Sequence, residues 1–94
     1  MDLTGKQVLV AGLGKSGIAA GALLKKMGCM VCLFDGNEKF DRGAWEKTYP
    51  VFSDCPLWIG ELPDAAVQEM ELAVVSPGIP LDTPAILKLQ AAGV

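Results

Sequence analysis

Three glycines near the start of the chain, Gly12, Gly14 and Gly17, have the spacing of a phosphate-binding loop. They directly follow a short apolar run, residues 7–11, that is typical of a buried strand. In this pattern the first glycine turns the chain off the strand, the second lets backbone approach a phosphate, and the third lets a helix pack closely. Because the first N–H groups of a helix bind anions, the loop predicts a nucleotide-phosphate site.

Asp35 ends a second apolar run, residues 29–34, about twenty residues beyond the glycines. An acid at this place commonly accepts a hydrogen bond from a bound nucleotide. At the end of a strand it should also be solvated, so we expect its removal to change stability little. Strand, glycine loop, helix and acid together predict a nucleotide-binding βαβ unit.

The helix between these strands should start near Ser16, whose side chain can cap the first turn. It should end at Met27, with Gly28 as its stop. Helical spacing predicts a buried face, with two lysines near the end pointing outwards. That face would consist of Ala19, Leu23 and Met27, with Ile18 and Ala22 beside them, and the outward residues are Lys25 and Lys26.

A second loop, residues 76–80, reads Ser-Pro-Gly-Ile-Pro and follows an apolar run at residues 72–75 that predicts a buried strand. Two prolines around a glycine fix a sharply turned loop, and ligands of open α/β sheets bind at the carboxyl ends of strands. Taken alone, a plain connecting turn would be the simpler interpretation. A last helix should begin with Thr83 as its cap and Pro84 as its first residue, and run towards Ala92.

Weaker patterns predict a short helix at residues 40–48, a strand at 57–60 and another short helix at 64–70. The expected fold is α/β, a Rossmann-like open parallel sheet of four to five strands with flanking helices. Residues 93–94 resemble a helix stop followed by the first residue of a fifth strand. We therefore expect residues 1–94 to be one domain of a longer protein.

Composition excludes several classes of function. The 94 residues carry a net charge of −3, and an acidic chain without a basic stripe is a poor candidate for binding nucleic acid or an anionic membrane. No apolar run approaches the roughly eighteen residues of a membrane span, so we expect a cytoplasmic protein. Trp45 could stack on a base, but on a short helix core packing is the better interpretation.

Residues 29–32 read C-x-x-C, which is a redox or zinc pattern in other contexts. On a strand, Cys29 and Cys32 point to opposite faces, so they can neither pair nor bind one metal ion. Only Cys55 remains, and the chain has no histidine. We therefore predict three reduced thiols in or near the core, and no metal site.

The glycine loop, Asp35 and residues 75–80 followed by a proline-started helix resemble the amino-terminal domain of the MurD family, the UDP-N-acetylmuramoyl-L-alanine:D-glutamate ligases. The resemblance covers essentially the whole chain. The Ser-Pro-Gly-Ile-Pro loop is its more specific part, because ordinary dinucleotide dehydrogenases share only the glycine loop and the acid.

This resemblance implies a UDP-substrate-binding domain of a three-domain cytoplasmic ligase of peptidoglycan synthesis, and so of cell-wall growth, cell shape and division. The parent enzyme would use ATP and magnesium to join D-glutamate to UDP-N-acetylmuramoyl-L-alanine. The central ATPase domain and the carboxyl-terminal domain are absent here, since no G-x-x-x-x-G-K-[ST] loop occurs. The present domain would bind no cofactor of its own and, taken alone, would be inactive.

Transferred position by position, the resemblance implies a UDP site that has no catalytic residue and no metal. The glycine-loop backbone and the Ser16 hydroxyl would cradle the diphosphate, Asp35 would accept a hydrogen bond from uracil, and the Gly36 backbone could donate one. Residues 76–78 would form the opposite wall. Gly36 and Asn37 depart from the family, which often has a hydroxyl or basic residue after the acid. The expected site residues are Gly14, Lys15, Ser16, Gly17, Asp35, Gly36, Ser76, Pro77 and Gly78.

Two other functions stay open on sequence alone. The chain could be the NAD(P)-binding domain of an oxidoreductase, in which Asp35 would bind an adenosine ribose. It could also be a nucleotide-sensing regulatory domain, although no dimerising or membrane-linked segment is visible. The loop at residues 76–80 favours the ligase over both.

Overall fold

Four parallel strands form the centre of the fold in a computed structural model that describes residues 3–94. The strands are β1 (Gln7–Ala11), β2 (Met30–Asp35), β3 (Leu57–Ile59) and β4 (Leu72–Val75), in the order β3-β2-β1-β4. Residue Val8 of β1 lies opposite Val31 of β2 and Leu72 of β4. The predicted open parallel α/β sheet is confirmed, with four strands in the described residues. Val94, the expected first residue of a fifth strand, belongs to none of these strands, and its N–H donates to the Leu89 carbonyl.

Helices cover both faces of this sheet. They are α1 (Lys15–Lys26), α2 (Arg42–Thr48), α3 (Asp64–Glu69) and α4 (Pro84–Ala91), and a 3₁₀ turn at Pro50–Phe52 was not expected from sequence. The side chains of β1 alternate between two apolar clusters, one beneath α3 and α4 and the other beneath α1, α2 and the 3₁₀ turn. Residues Val8–Ala11 are completely buried, as expected for the middle strand of a parallel sheet. The edge strand β4 is only half-buried, and Leu72 is 38% exposed.

The predicted buried face of α1 is wrong. Ala19, Leu23 and Met27 are exposed, and the helix instead packs with Gly17, Gly21 and Leu24 against the sheet. The physical reason is the pair of glycines one turn apart, because a surface without side chains lets the helix axis come closest to the strands. Ile18 and Ala22 are partly buried, as expected from their flanking positions.

The ends of α1 and α4 agree only in part with the sequence prediction. α1 begins at Lys15 with Gly14 as its cap residue, so the expected side-chain cap from Ser16 is not formed. Gly28 stops the helix as predicted, with a φ of +81°. In α4, Pro84 occupies the first turn as predicted, but the Thr83 hydroxyl donates to the Pro80 carbonyl at 3.1 Å and does not cap the helix.

An aromatic cluster supports α1 from below. Phe52, from the unexpected 3₁₀ turn, is 1% exposed, and its ring stacks on Trp45 with centroids 5.3 Å apart. The prediction that Trp45 packs into the core is therefore confirmed. The predicted placement of Cys29 and Cys32 on opposite sides of the sheet is also confirmed, and all three cysteines are free thiols in or near the core.

Within residues 3–94, no helix is long and apolar enough to cross a membrane. Within the same range, no group of three or more histidine, cysteine or acidic side chains is arranged to hold a metal ion.

Candidate functional site

The glycine loop and the loop at residues 76–80 lie side by side at the carboxyl edge of the sheet. This arrangement was predicted, and it follows from the parallel pairing of β1 with β4, which brings the ends of both strands to one edge. Between the loops is a cleft of about 580 Å³. Eight of the nine expected site residues line it: Gly14, Lys15, Ser16, Asp35, Gly36, Ser76, Pro77 and Gly78.

Gly17, the ninth, is buried beneath the cleft and does not line it. A Cβ atom at this position would stand 1.9 Å from the Gly12 carbonyl oxygen, far inside contact distance. The third glycine of the loop therefore packs the first turn of α1 against the end of β1.

The start of α1, where Lys15 and Ser16 line the cleft, has unpaired backbone donors. The Ile18 N–H donates to the Gly14 carbonyl at 2.9 Å, so Ile18 is the first residue bonded in the helical manner. The N–H groups of Lys15, Ser16 and Gly17 precede it and have no acceptor within the helix. Together with the positive end of the helix dipole they favour an anion. The exposed Lys15 ammonium forms no ion pair with any residue in the described range.

Asp35 is not the solvated acid that the sequence predicts. It is half-buried, and both of its carboxylate oxygens accept backbone hydrogen bonds, Oδ2 from the Leu13 N–H at 3.1 Å and Oδ1 from the Asn37 N–H at 2.9 Å. The acid therefore holds the glycine loop and its own following turn. Since a carboxylate has about four acceptor positions, it keeps capacity for a ligand donor.

The Ser76 hydroxyl donates to the Gly12 carbonyl at 3.1 Å, a contact that sequence reasoning missed. Gly12 has a φ of +91°, in the left-handed region that favours glycine. A Cβ atom there would stand 2.6 Å from Ile79 Cδ1 and 2.8 Å from Ser76 Oγ. Gly12 is thus required both for the turn off β1 and for the close approach of the second loop.

Further residues line the cleft, namely Leu13, Phe34, Asn37, Ile79, Pro80 and Thr83. Ile79 and Pro80 complete the loop at residues 76–80, and Leu13, Phe34 and Asn37 adjoin predicted site residues in sequence. Thr83 had no sequence signal as a residue of the cleft. Of all the lining residues only Lys15 and Asp35 carry a charge, and the chain has no histidine to activate a serine hydroxyl. The cleft can therefore hold and orient an anionic ligand, but in residues 3–94 neither Ser16 nor Ser76 is hydrogen-bonded to Lys15 or Asp35, so no nucleophile–base pair is assembled there.

Comparison with known proteins identifies the relatives of this chain. Residues 6–94 match the family described as Mur ligase MurD-like, N-terminal domain. Three similar curated proteins are each named UDP-N-acetylmuramoylalanine–D-glutamate ligase. The protein from Lachnospira eligens is 42% identical over 100% of this chain, that from Caldicellulosiruptor saccharolyticus 45% over 86%, and that from Clostridioides difficile 38% over 99%.

The chain spans about a fifth of the length of these relatives, namely 21%, 18% and 20% of each. The family match covers almost all of the chain, including both loops of the cleft and Asp35. This chain belongs to the MurD-like family of Mur ligase N-terminal domains.

Proposed function

We propose that residues 1–94 form the domain that binds the UDP part of UDP-N-acetylmuramoyl-L-alanine, within a ligase that adds D-glutamate during peptidoglycan synthesis. One observation carries the proposal: a helix start with unpaired N–H groups, an acid and the loop at residues 76–80 surround one cleft. The names of the relatives supply the substrate class, since each is a D-glutamate ligase named for its UDP-N-acetylmuramoylalanine substrate.

In this proposal the diphosphate lies at the start of α1, against the backbone of residues 14–17, the Ser16 hydroxyl and the Lys15 ammonium. Backbone donors and the Lys15 ammonium suit a doubly charged group, because the donors fix its orientation and the ammonium supplies positive charge. Uracil lies beside Asp35 and Gly36, accepting from the Gly36 N–H and donating to the carboxylate. Ser76, Pro77 and Gly78 form the opposite wall.

The domain's contribution to the reaction is positional. Anchoring the UDP end holds the remote alanyl carboxylate in line, so that binding energy far from the reacting atoms is used for orientation. In the parent protein, ATP with magnesium would activate that carboxylate, and the amine of D-glutamate would attack it. In this proposal those steps belong to the other domains of a cytoplasmic enzyme, and the cleft at the start of α1 only holds the UDP end.

Calorimetry with UDP, UMP, ADP and NAD tests the nucleotide preference of the chain. We expect UDP to bind tightest, although weakly, because other domains complete the site in the parent. Tighter binding of NAD would instead favour the domain of an oxidoreductase.

A pair of lysine variants on the same helix tests the placement of the diphosphate. Lys15→Ala should weaken UDP binding and leave uridine binding almost unchanged, because Lys15 lies at the start of α1. Lys26→Ala removes the same charge at the other end of the helix and is the matched control. Equal effects of both variants on UDP would show that the phosphates do not lie at the start of α1.

A further inference from the structure

The peptide group between Gly12 and Leu13 is held at both ends by side chains from other loops. Its carbonyl oxygen accepts a hydrogen bond from Ser76 Oγ at 3.1 Å, and its N–H donates to Asp35 Oδ2 at 3.1 Å. Ser76 follows β4 and Asp35 ends β2, and these are the two strands that flank β1. The peptide at the tip of the middle strand is therefore fixed from both sides.

The two residues that contact this peptide are themselves fixed by further hydrogen bonds. The Ser76 N–H donates to the Ala11 carbonyl at 3.0 Å, and its own carbonyl accepts from the Ile79 N–H at 3.0 Å. The second oxygen of Asp35 accepts from the Asn37 N–H at 2.9 Å. These bonds fix the backbone of Ser76 beside the peptide, and the Asp35 carboxylate cannot turn away from the peptide without losing its bond to the Asn37 N–H.

The orientation of this peptide decides which partial charge faces the cleft. Both Gly12 and Leu13 line the cleft, directly before the unpaired N–H groups at the start of α1. A peptide that turned over would bring its carbonyl oxygen towards the cleft, and that partial negative charge would oppose a bound anion. Gly12 is a glycine at positive φ with no side chain of its own to prevent the rotation. External hydrogen bonds must therefore hold it.

We propose that Ser76 is a positioning residue, whose hydroxyl together with the Asp35 carboxylate locks the Gly12–Leu13 peptide and so keeps the anion subsite in its binding geometry. The inference rests on the proposed nucleotide function and adds a role for Ser76 that acts through the glycine loop. Since the locked peptide adjoins the phosphate end of the site, Ser76 contributes to the affinity for the diphosphate and not to the affinity for the base.

The test compares Ser76→Ala with Ser76→Thr, which keeps the hydroxyl. The matched control is Thr48→Ala, because the Thr48 hydroxyl also donates to a carbonyl at 3.1 Å, that of Ala44, but lies in α2 away from the cleft. Two quantities are measured: the amide hydrogen-exchange rate of Leu13 in the ligand-free chain by NMR, and the calorimetric affinities for uridine, UMP and UDP.

For Ser76→Ala we expect faster exchange at the Leu13 amide and about three- to tenfold weaker binding of UDP, which is the scale of one neutral hydrogen bond. Uridine affinity should stay at the wild-type value. Ser76→Thr should restore both the slow exchange and the UDP affinity, and Thr48→Ala should alter neither.

Unchanged Leu13 exchange in Ser76→Ala, or equal losses of uridine and UDP affinity, would overturn the positioning role. Failure of Ser76→Thr to restore exchange would also overturn it, because the hydroxyl would then not be the active group. If the wild-type chain binds no uridine nucleotide, the proposed function fails by itself. In that case the exchange rate of the Leu13 amide alone tests whether Ser76 holds the Gly12–Leu13 peptide, since that measurement needs no ligand.

Discussion

Replacing Gly17 with alanine adds one methyl group at the most crowded point of the fold. Its Cβ would stand 1.9 Å from the Gly12 carbonyl oxygen, whereas Cβ contacts below 3.0 Å are essentially never seen, so the gap must widen by at least 1.1 Å. The carbonyl cannot move freely, because it accepts the Ser76 hydroxyl and its peptide N–H is bonded to Asp35. The helix must therefore shift away from the sheet or the loop must distort.

Overpacking of this kind costs about 1–3 kcal/mol, and backbone on one side of the clash favours the upper end. Alanine recovers up to about 1 kcal/mol, because it is the better helix former. We therefore expect a net loss of about 2 kcal/mol, which corresponds to a melting temperature lower by roughly 10 °C in a domain of this size.

Urea unfolding followed by tryptophan fluorescence measures this loss directly. Gly43→Ala is the matched control, because it makes the same exchange inside α2, where the nearest contact of a new Cβ would be an ordinary 3.6 Å to Asp41 Oδ1. That variant should be as stable as the wild type or slightly more stable. A Gly17→Ala chain as stable as Gly43→Ala would refute the inferred close packing between α1 and β1.

Three further predictions concern the acid, an ion pair and activity. Asp35→Ala should lower the free energy of unfolding by about 1–2 kcal/mol, because it leaves the Leu13 and Asn37 N–H groups without their acceptor, and should weaken UDP binding by about 1–3 kcal/mol; urea unfolding and calorimetry measure the two effects. The Lys25 ammonium donates to Asp54 at 2.6 Å, which holds the pKa of Asp54 below its usual 3.8 and raises the pKa of Lys25 above 10.5. The stabilisation from this ion pair should therefore be present between pH 3.8 and pH 10.5. It should disappear below that range as Asp54 is protonated and above it as Lys25 loses its proton, so thermal melts of the wild type and Asp54→Asn should converge both in acid and in alkali. Finally, the chain alone should release no ADP from ATP when given the complete set of ligase substrates, and D-glutamate-dependent turnover would contradict the proposed division between domains.

The sequence predicted the elements of the site well, because each is a local pattern. The strand before Gly12, the helix after it and the acid at Asp35 all lie where the glycine loop requires them. The neighbouring positions of the glycine loop and of residues 76–80 were also predictable, since parallel topology brings both strand ends to one edge.

The inner face of α1 was not predictable in the same way, because the helix carries two competing stripes. Leu23 and Met27 form the more hydrophobic stripe, while Gly17 and Gly21 form the smoother one. Transfer free energy favours burying the first, whereas close approach to the sheet needs the second. Which stripe is buried depends on Phe52, whose ring would lie only 3.0 Å from a Cβ atom at Gly21. The 3₁₀ turn that places Phe52 has no strong signal in the local sequence.

Two polar side chains of the cleft form hydrogen bonds to the backbone of the glycine loop. Asp35 and Ser76 bond to the Gly12–Leu13 peptide, and Lys15 is the one lining residue that offers a positive charge. A site built in this way attracts an anion through dipoles over a few ångströms, so it does not need a basic surface. A net charge of −3 is therefore compatible with the proposed diphosphate site. Such a site also explains why the position after Asp35 can be glycine, since the hydrogen bond proposed there comes from the Gly36 N–H and needs no side chain.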